Sequence, residues 1–515
     1  MEPMRHAVVP DLVESWLARF GAPDACAADL LCDRWDPAAV AFTLIDEDLQ
    51  SHSLTFGALS DASRRLATGL ARQGVQAGDC VGVLMSKREE YLVCVLALWR
   101  LGAVLVPMFT AFSSGAIRLR TEGSGASRVI TERTYLSALE AVDGVQAIVV
   151  EDHFHELLAC EPMVDSRAVG GDGLLAMLFT SGTTGKPKGV PIPVKALAAF
   201  AAYMELGLDV VDADTYWNAA DPGWAYGLYY GVLGPLATGR PNILANIPFS
   251  PEAVKQVMAS QGVTNFAGAP TMYRAMAKSP DFGTHLLRRA SSAGEPLTGD
   301  ISAWCQRGLG VEVRDHYGQT EHGMVVINGW HDAVRGEIKQ GSMGAVMPGF
   351  TAAVREDQLV LSTSQSPLMF FSGYHGSSAS ADRFTDDGDW YFTGDSVRVD
   401  EDGYYFFSAR DDDVILAAGY RIGPFDVETV LSEHPAVADV GVVGKPDEMR
   451  GEVVVAYIVL TPGHEASDDL AAQLKELVRT QYSAHAYPRI VHFIEALPKT
   501  PSGKIQRNLL RARQD

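Results

Sequence analysis

Residues 180–189 read Thr180-Ser181-Gly182-Thr183-Thr184-Gly185-Lys186-Pro187-Lys188-Gly189. Glycines let a backbone turn tightly and approach an anion closely. Successive exposed N–H groups in such a turn form an anion-binding nest, and the hydroxyls and ammonium groups add donors. The preceding residues, 174–179, are apolar and read as a strand. A strand running into a glycine-rich loop suits a phosphate. The string is not the common nucleotide loop, which needs four residues between its glycines and a Lys-Ser/Thr ending. A phosphate-bearing ligand is expected here.

Outward from the loop, the chain alternates. Residues 54–73 carry apolar positions at helical spacing, 80–85 form a short apolar run, 89–101 are helical again, and 103–107, 129–131 and 147–150 look like strands. The alternation returns at 242–245, 266 and 289–292. Strands alternating with helices imply an α/β fold whose parallel-rich sheets are covered on both faces. After residue 350 the pattern changes. Residues 358–362, 390–392, 396–399 and 404–408 read as separate strands joined by Asp/Gly turns. Beyond Arg410-Asp411-Asp412-Asp413, a helix at 428–432, strands at 437–443 and 452–460, and a helix at 470–482 suggest a small α+β domain. The expected division is a large multi-subdomain portion, 1–411, and a small mobile domain, 412–515.

Composition narrows the function. A chain of 515 residues exceeds one ordinary core. Its charge sum, 42 − 64 = −22, repels a nucleic-acid backbone, so no nucleic-acid partner is expected. Cys26, Cys32, Cys80, Cys94, Cys160 and Cys305 lack metal-finger spacing and are expected to be reduced thiols of a cytoplasmic enzyme. No leader is visible at residues 1–10. The densest apolar run, 91–99, is far shorter than the ~18 residues of a membrane span.

Further strings follow the loop in order: Ser-Ala-Gly-Glu-Pro at 292–296, Tyr-Gly-Gln-Thr-Glu at 317–321, Tyr-Phe-Thr-Gly-Asp at 391–395, Arg-Asp-Asp-Asp-Val-Ile-Leu-Ala-Ala-Gly-Tyr-Arg-Ile-Gly at 410–423 and Pro-Lys-Thr-Pro-Ser-Gly-Lys-Ile-Gln-Arg at 498–507. In this order they resemble the adenylate-forming superfamily of acyl-CoA synthetases, carrier-protein-loading adenylation domains and luciferases. The style is closest to short- and medium-chain acyl-CoA synthetases. The resemblance implies that a carboxylate attacks the α-phosphorus of ATP, releasing pyrophosphate, and that a thiol, usually coenzyme A, then displaces AMP.

The resemblance also implies roles. Thr180, Ser181, Gly182, Thr183, Thr184 and Lys188 hold the β- and γ-phosphates, Thr320 touches the α-phosphate and Glu321 ligates Mg2+. Tyr317 offers a flat face to adenine, and Gly294, Glu295 and Pro296 line its edge. Asp395 accepts the ribose hydroxyls and Arg410 reaches the ribose. Lys504 is the catalytic lysine of adenylation, Asp412 the hinge of the small domain, and Gly419 part of the pantetheine tunnel. Ala409 stands where relatives usually have glycine.

For the acid, Trp224, Tyr226 and Gly227 should lie near the acyl group, with Gly268 and Ala269 on another wall. Gly318 stands where acetate-restricted relatives carry a plugging tryptophan, so an acid larger than acetate is expected. An unbranched medium-chain acid is the family default, with an aryl or natural-product acid beside it. His322 either contacts a polar substrate or faces water. Two alternatives stay open: a stand-alone enzyme loading a carrier protein, and a silent acyl or nucleotide sensor. The second should lack Lys504, Glu321 or Asp395, and all three are present. Homodimers, common among relatives, are a further expectation.

Overall fold

A computed structural model describes residues 5–180, 187–279, 282, 287–376, 382–410, 413–417, 420–447, 451–483, 485–500 and 504–513. The chain folds as α/β, with a large sheet-rich portion and a smaller carboxyl-terminal unit.

A six-stranded sheet runs in the order Gln146–Val149, Arg128–Thr131, Cys80–Leu84, Val104–Met108, Leu174–Thr180, Lys188–Pro193. Its first five strands are parallel, and the sixth returns antiparallel to the fifth. The phosphate loop therefore bridges a hairpin and does not open a helix. Thr180 and Lys188 are directly opposed in its register. The apolar run at 91–99 belongs to the helix Glu89–Leu101, buried from Tyr91 to Leu101. That burial explains its composition without a membrane, and no described helix is long and apolar enough to cross one. Its Arg100 is fully buried and is matched by Asp33 at 2.7 Å, with Ser63 Oγ at 2.8 Å. A buried guanidinium needs such pairing.

A thirteen-stranded sheet spans the rest of the large portion. Its middle is parallel, with Asn265–Gly268, Arg289–Ala293 and Val313–Gln319 side by side. The chain then reverses, and Gly323–Ile327 pairs antiparallel with Val313–Gln319. The tight turn between them carries Thr320, Glu321 and His322. Beyond it the sheet stays antiparallel through Ser342–Val346, Tyr405–Arg410, Trp390–Val399 and Gln358–Ser362. Residues 390–399 form one strand where two were expected. The strand runs on through Gly394-Asp395, with an irregularity in its pairing at Ser396–Val397.

The carboxyl-terminal unit has its own sheet: Tyr420–Ile422, Ile415–Ala417, Gly451–Leu460 and Val437–Asp447, with Ile490–Phe493 added parallel to Gly451–Leu460. Val442, Ala456, Ile458, Leu474 and Val478 form its core. Strand Val437–Asp447 runs past the expected 443 because it pairs residue for residue with Gly451–Leu460 to its end. The unit touches the large portion through Lys278 Nζ, which donates to Ala438 O at 3.2 Å, and through the rings of Phe407 and Phe425, 6.2 Å apart. The six cysteines are free, and five are buried.

Candidate active site

Asp395 is 5% exposed and fixed from two sides. The Tyr317 hydroxyl and Gln319 Nε2 each donate to Asp395 Oδ2 at 2.6 Å. Gln319 Nε2 also reaches Thr393 O at 2.9 Å, and the Tyr391 hydroxyl donates to Gln319 Oε1 at 3.3 Å. Tyr317 and Gln319 lie two apart on one strand and so share a face. That spacing is the signal by which Gln319 was readable as a partner, and the sequence reading passed over it. The result is an oriented acceptor group, the type needed for sugar hydroxyls. Arg410 lies opposite Asp395 in the strand register, but its side chain lies outside the described residues.

A second chain of contacts leads to the phosphate loop. Glu321 is 7% exposed and accepts a 2.8 Å bond from the Tyr374 hydroxyl. Lys188 Nζ sits 5.0 Å from the centre of the Tyr374 ring. Burial, and then the charge of Glu321, push the Tyr374 phenol well above its ordinary range. Tyr374 was not foreseen. The Tyr229 hydroxyl donates to Thr320 O at 2.8 Å and steadies the turn. Ser181, Gly182, Thr183 and Thr184 lie outside the described residues. Among the described residues no three His, Cys, Asp or Glu side chains cluster as a metal cage. One buried carboxylate beside a phosphate loop fits Mg2+, which takes few protein ligands and fills its shell with phosphate oxygens and water.

Gly294, Glu295 and Pro296 follow the strand Arg289–Ala293. Glu295 Oε2 pairs with Arg274 Nη2 at 2.5 Å. Asp315 accepts from Ser292 Oγ at 2.9 Å and from Leu297 N at 3.2 Å, tying this turn to the strand that carries Tyr317. Burial pushes the Asp315 carboxyl up to about 7. Neither Arg274 nor Asp315 belongs to a recognisable string.

A small pocket of about 30 Å³ opens between the six-stranded sheet and the turn at Thr320, with Phe112, Phe179, Trp224 and Ala225 on its walls. Of the residues expected at the acyl group, Trp224 lines it; Tyr226, Gly227, Gly268, Ala269 and Gly318 do not. The Tyr226 hydroxyl meets that of Tyr203 at 3.2 Å, inside a cluster with Tyr230. A Cβ on Gly227 would lie 2.1 Å from the Asp221 carbonyl oxygen, and one on Gly318 the same distance from that of Gly323. Close backbone approach therefore accounts for both glycines. His322 does not face water. It is fully buried, its Nδ1 lies 2.9 Å from Gly323 O, and burial holds it neutral, down to about 4.

Lys504 is exposed on a short turn closed by Thr500 N to Lys504 O at 2.8 Å and Lys504 N to Thr500 Oγ1 at 3.0 Å. Just beyond it, Arg507 Nη2 grips both oxygens of Glu428 at 2.6 and 2.7 Å. Arg511 Nη2 holds Asp413 Oδ1 at 2.6 Å. The segment after Lys504 is thus tied to the residue next to the expected hinge. Asp412 itself and Gly419 lie outside the described residues.

Residues 34–363 match the AMP-binding enzyme family and residues 426–504 its C-terminal domain. The chain belongs to the AMP-binding enzyme family. An acetyl-coenzyme A synthetase of Bacillus subtilis strain 168 is 34% identical over 494 residues, covering 89% of this chain and 84% of its own. The crystal structure of an acyl-CoA synthetase of Brucella canis is 40% identical, covers 98% of each chain and has a TM-score of 0.76. The anthranilate CoA ligase AuaEII, crystallised with anthranoyl-AMP, is 26% identical over 95% of this chain and 97% of its own, with a TM-score of 0.85. The class is that of acid–thiol ligases of the acyl-CoA synthetase kind, whose reactants are ATP with Mg2+, an acid and coenzyme A.

Proposed function

We propose that this chain joins an acid larger than acetate to coenzyme A, using the residues assembled around the 319–323 turn. The observation that carries the reading is the convergence on that turn of two devices. One is the Asp395 carboxylate held by Tyr317 and Gln319; the other is the Glu321–Tyr374–Lys188 chain leading to the phosphate loop. Between them lies Thr320, beside the pocket.

In the first step an oxygen of the acid attacks the α-phosphorus. The bond from that phosphorus to the bridging oxygen breaks, and pyrophosphate leaves. Two anions must meet, so positioned donors and cations dominate the barrier. Lys188 and Thr180 hold the triphosphate tail, Thr320 contacts the α-phosphate, and Asp395 fixes the ribose. Glu321 would hold Mg2+, which supplies charge neutralisation at the phosphates. Lys504 brings an ammonium to the reacting oxygens. In the second step the thiol sulfur attacks the acyl carbon and AMP leaves. Asp412 serves as the hinge between steps, and Gly419 lines the pantetheine path.

Aromatic walls at Phe112, Phe179 and Trp224 suit an alkyl or aryl body. A cytoplasmic setting fits six free thiols. The test offers purified protein ATP, Mg2+ and a panel of straight-chain and aryl acids, with coenzyme A and a holo carrier protein in separate reactions. Acid-dependent pyrophosphate and AMP, with acyl-CoA by mass spectrometry, are expected. Acyl transfer to the carrier protein alone would favour the loading enzyme. Absence of any acyl-AMP would overturn the ligase reading and leave a sensor. Light scattering on the same sample reads whether a homodimer forms.

A further inference from the structure

Arg120 belongs to none of the recognised strings. It lies on the helix Ser114–Ser124, where Gly123 packs so closely that a Cβ there would stand 2.7 Å from the Phe179 ring. Phe179 immediately precedes Thr180, so the helix packs against the end of the strand that leads into the phosphate loop. The Arg120 guanidinium lies 3.8 Å over the Phe112 ring, and Nη1 donates to Ala116 O at 2.8 Å. Among the described residues, Arg120 is the one charged side chain lining the pocket beside Thr320. Desolvation alone pulls it down to about 10, and no carboxylate of the described residues forms an ion pair with it. Arg100, which is fully buried, has an aspartate partner.

A desolvated guanidinium without a counter-ion is costly unless a ligand supplies one. The polyphosphate is a poor candidate, because it needs many donors, and those are concentrated in the glycine-rich loop. Among the described residues the pocket offers one planar fork, one hydroxyl and aromatic walls. That set matches a single carboxylate on an apolar body, because the fork engages both carboxylate oxygens.

Resting on the ligase reading above, we infer that Arg120 binds the carboxylate of the acid and holds it beside Thr320 until it attacks the α-phosphorus. Formation of the acyl-adenylate removes the negative charge and loosens this grip, which frees the acyl carbon for the thiol. Arg120 thus favours the free acid over the adenylate.

The experiment measures acid-dependent ATP–pyrophosphate exchange in the wild type, Arg120→Lys and Arg120→Met, with thermal melts on each. A second assay supplies acyl-adenylate and reads thioester formation. Loss of a charged hydrogen bond should raise the KM for the acid about tenfold or more in Arg120→Met, with partial recovery in Arg120→Lys. KM for ATP and the second assay should change little. If Arg120→Met does not fold, the Lys variant carries the same KM comparison. An unchanged acid KM, or a rise confined to ATP or to coenzyme A, overturns the assignment while leaving the ligase reading intact. A wild type that exchanges pyrophosphate with no acid sinks both.

Discussion

The Tyr317 hydroxyl donates a 2.6 Å hydrogen bond to Asp395 Oδ2, joining residues 78 apart in sequence across the large sheet. This bond and the one from Gln319 fix the carboxylate before any nucleotide arrives. Bonds to a charged group are worth about 1.5–3 kcal/mol, so Asp395→Asn should raise the KM for ATP about 10–100-fold. Tyr317→Phe should raise it less, because Gln319 still orients the acceptor. Pyrophosphate exchange at saturating acid measures both, and an unmoved KM in Asp395→Asn would remove Asp395 from the nucleotide site.

Glu321 depends on Tyr374 in the same way that Asp395 depends on Tyr317. Glu321 is the residue proposed to hold Mg2+, and removing a group that orients a metal ligand typically costs about 10–100-fold in metal affinity or activity. Tyr374→Phe should therefore shift the Mg2+ titration to higher concentration, and Glu321→Gln should shift it further. A Tyr374→Phe titration superimposable on the wild type would mean the bond is packing alone.

Lys504 and Gly419 should separate the half-reactions. Lys504→Ala is expected to abolish pyrophosphate exchange while thioester formation from supplied acyl-adenylate persists. Gly419→Leu should do the reverse, because a side chain there blocks a thin pantetheine arm. Equal damage to both steps in either variant would contradict the division of labour.

Gly318 is a test of packing against specificity. With the Gly323 carbonyl 2.1 Å from its missing Cβ, even Gly318→Ala must displace backbone. Overpacking of this kind costs about 1–3 kcal/mol, so the variant should melt several degrees lower. Gly318→Trp should lose folded yield before it yields a clean acetate enzyme. An undisturbed melt for Gly318→Ala would show that the hairpin yields easily.

His316 and His322 set an acid limb of stability. Both are buried, and His316 has no hydrogen-bond partner on either ring nitrogen among the described residues. Burial lowers them from 6.5 to about 3 and about 4. Unfolding lets each ring take up a proton, so their contribution is present above about pH 6.5 and drains as pH falls. By about pH 5.5 each should have lost ~1 kcal/mol. His316→Phe should flatten the melting temperature between pH 7 and 5. An unchanged slope would mean that the ring is hydrated in solution.

Much of the architecture was open to reading because hydrophobic period is local. The helix Glu89–Leu101 and the strand Gln358–Ser362 begin and end where their apolar patterns do. What the local pattern left out was also physical. Residues 390–392 and 396–399 read as two strands, yet sheet pairing on both sides joins 390–399 into one. Gly318 was read for the room it leaves and Gly227 for its place near the acyl group; the tertiary structure adds backbone oxygens opposite both, from segments whose approach no local pattern encodes. Strings such as 317–321 carried their chemistry openly, but Tyr374, Arg274 and Arg120 sit in unremarkable stretches.

The sequence alone determined the class of chemistry, because a glycine-and-hydroxyl loop and the ordered strings after it keep backbone donors and charged side chains at fixed spacing. Only the tertiary structure decided which groups orient those side chains. Tyr317 meets Asp395 at 2.6 Å, Tyr374 meets Glu321 at 2.8 Å and the Arg120 guanidinium lies 3.8 Å over Phe112 because sheet register and helix packing fix them there, and such distances are a property of the packed chain.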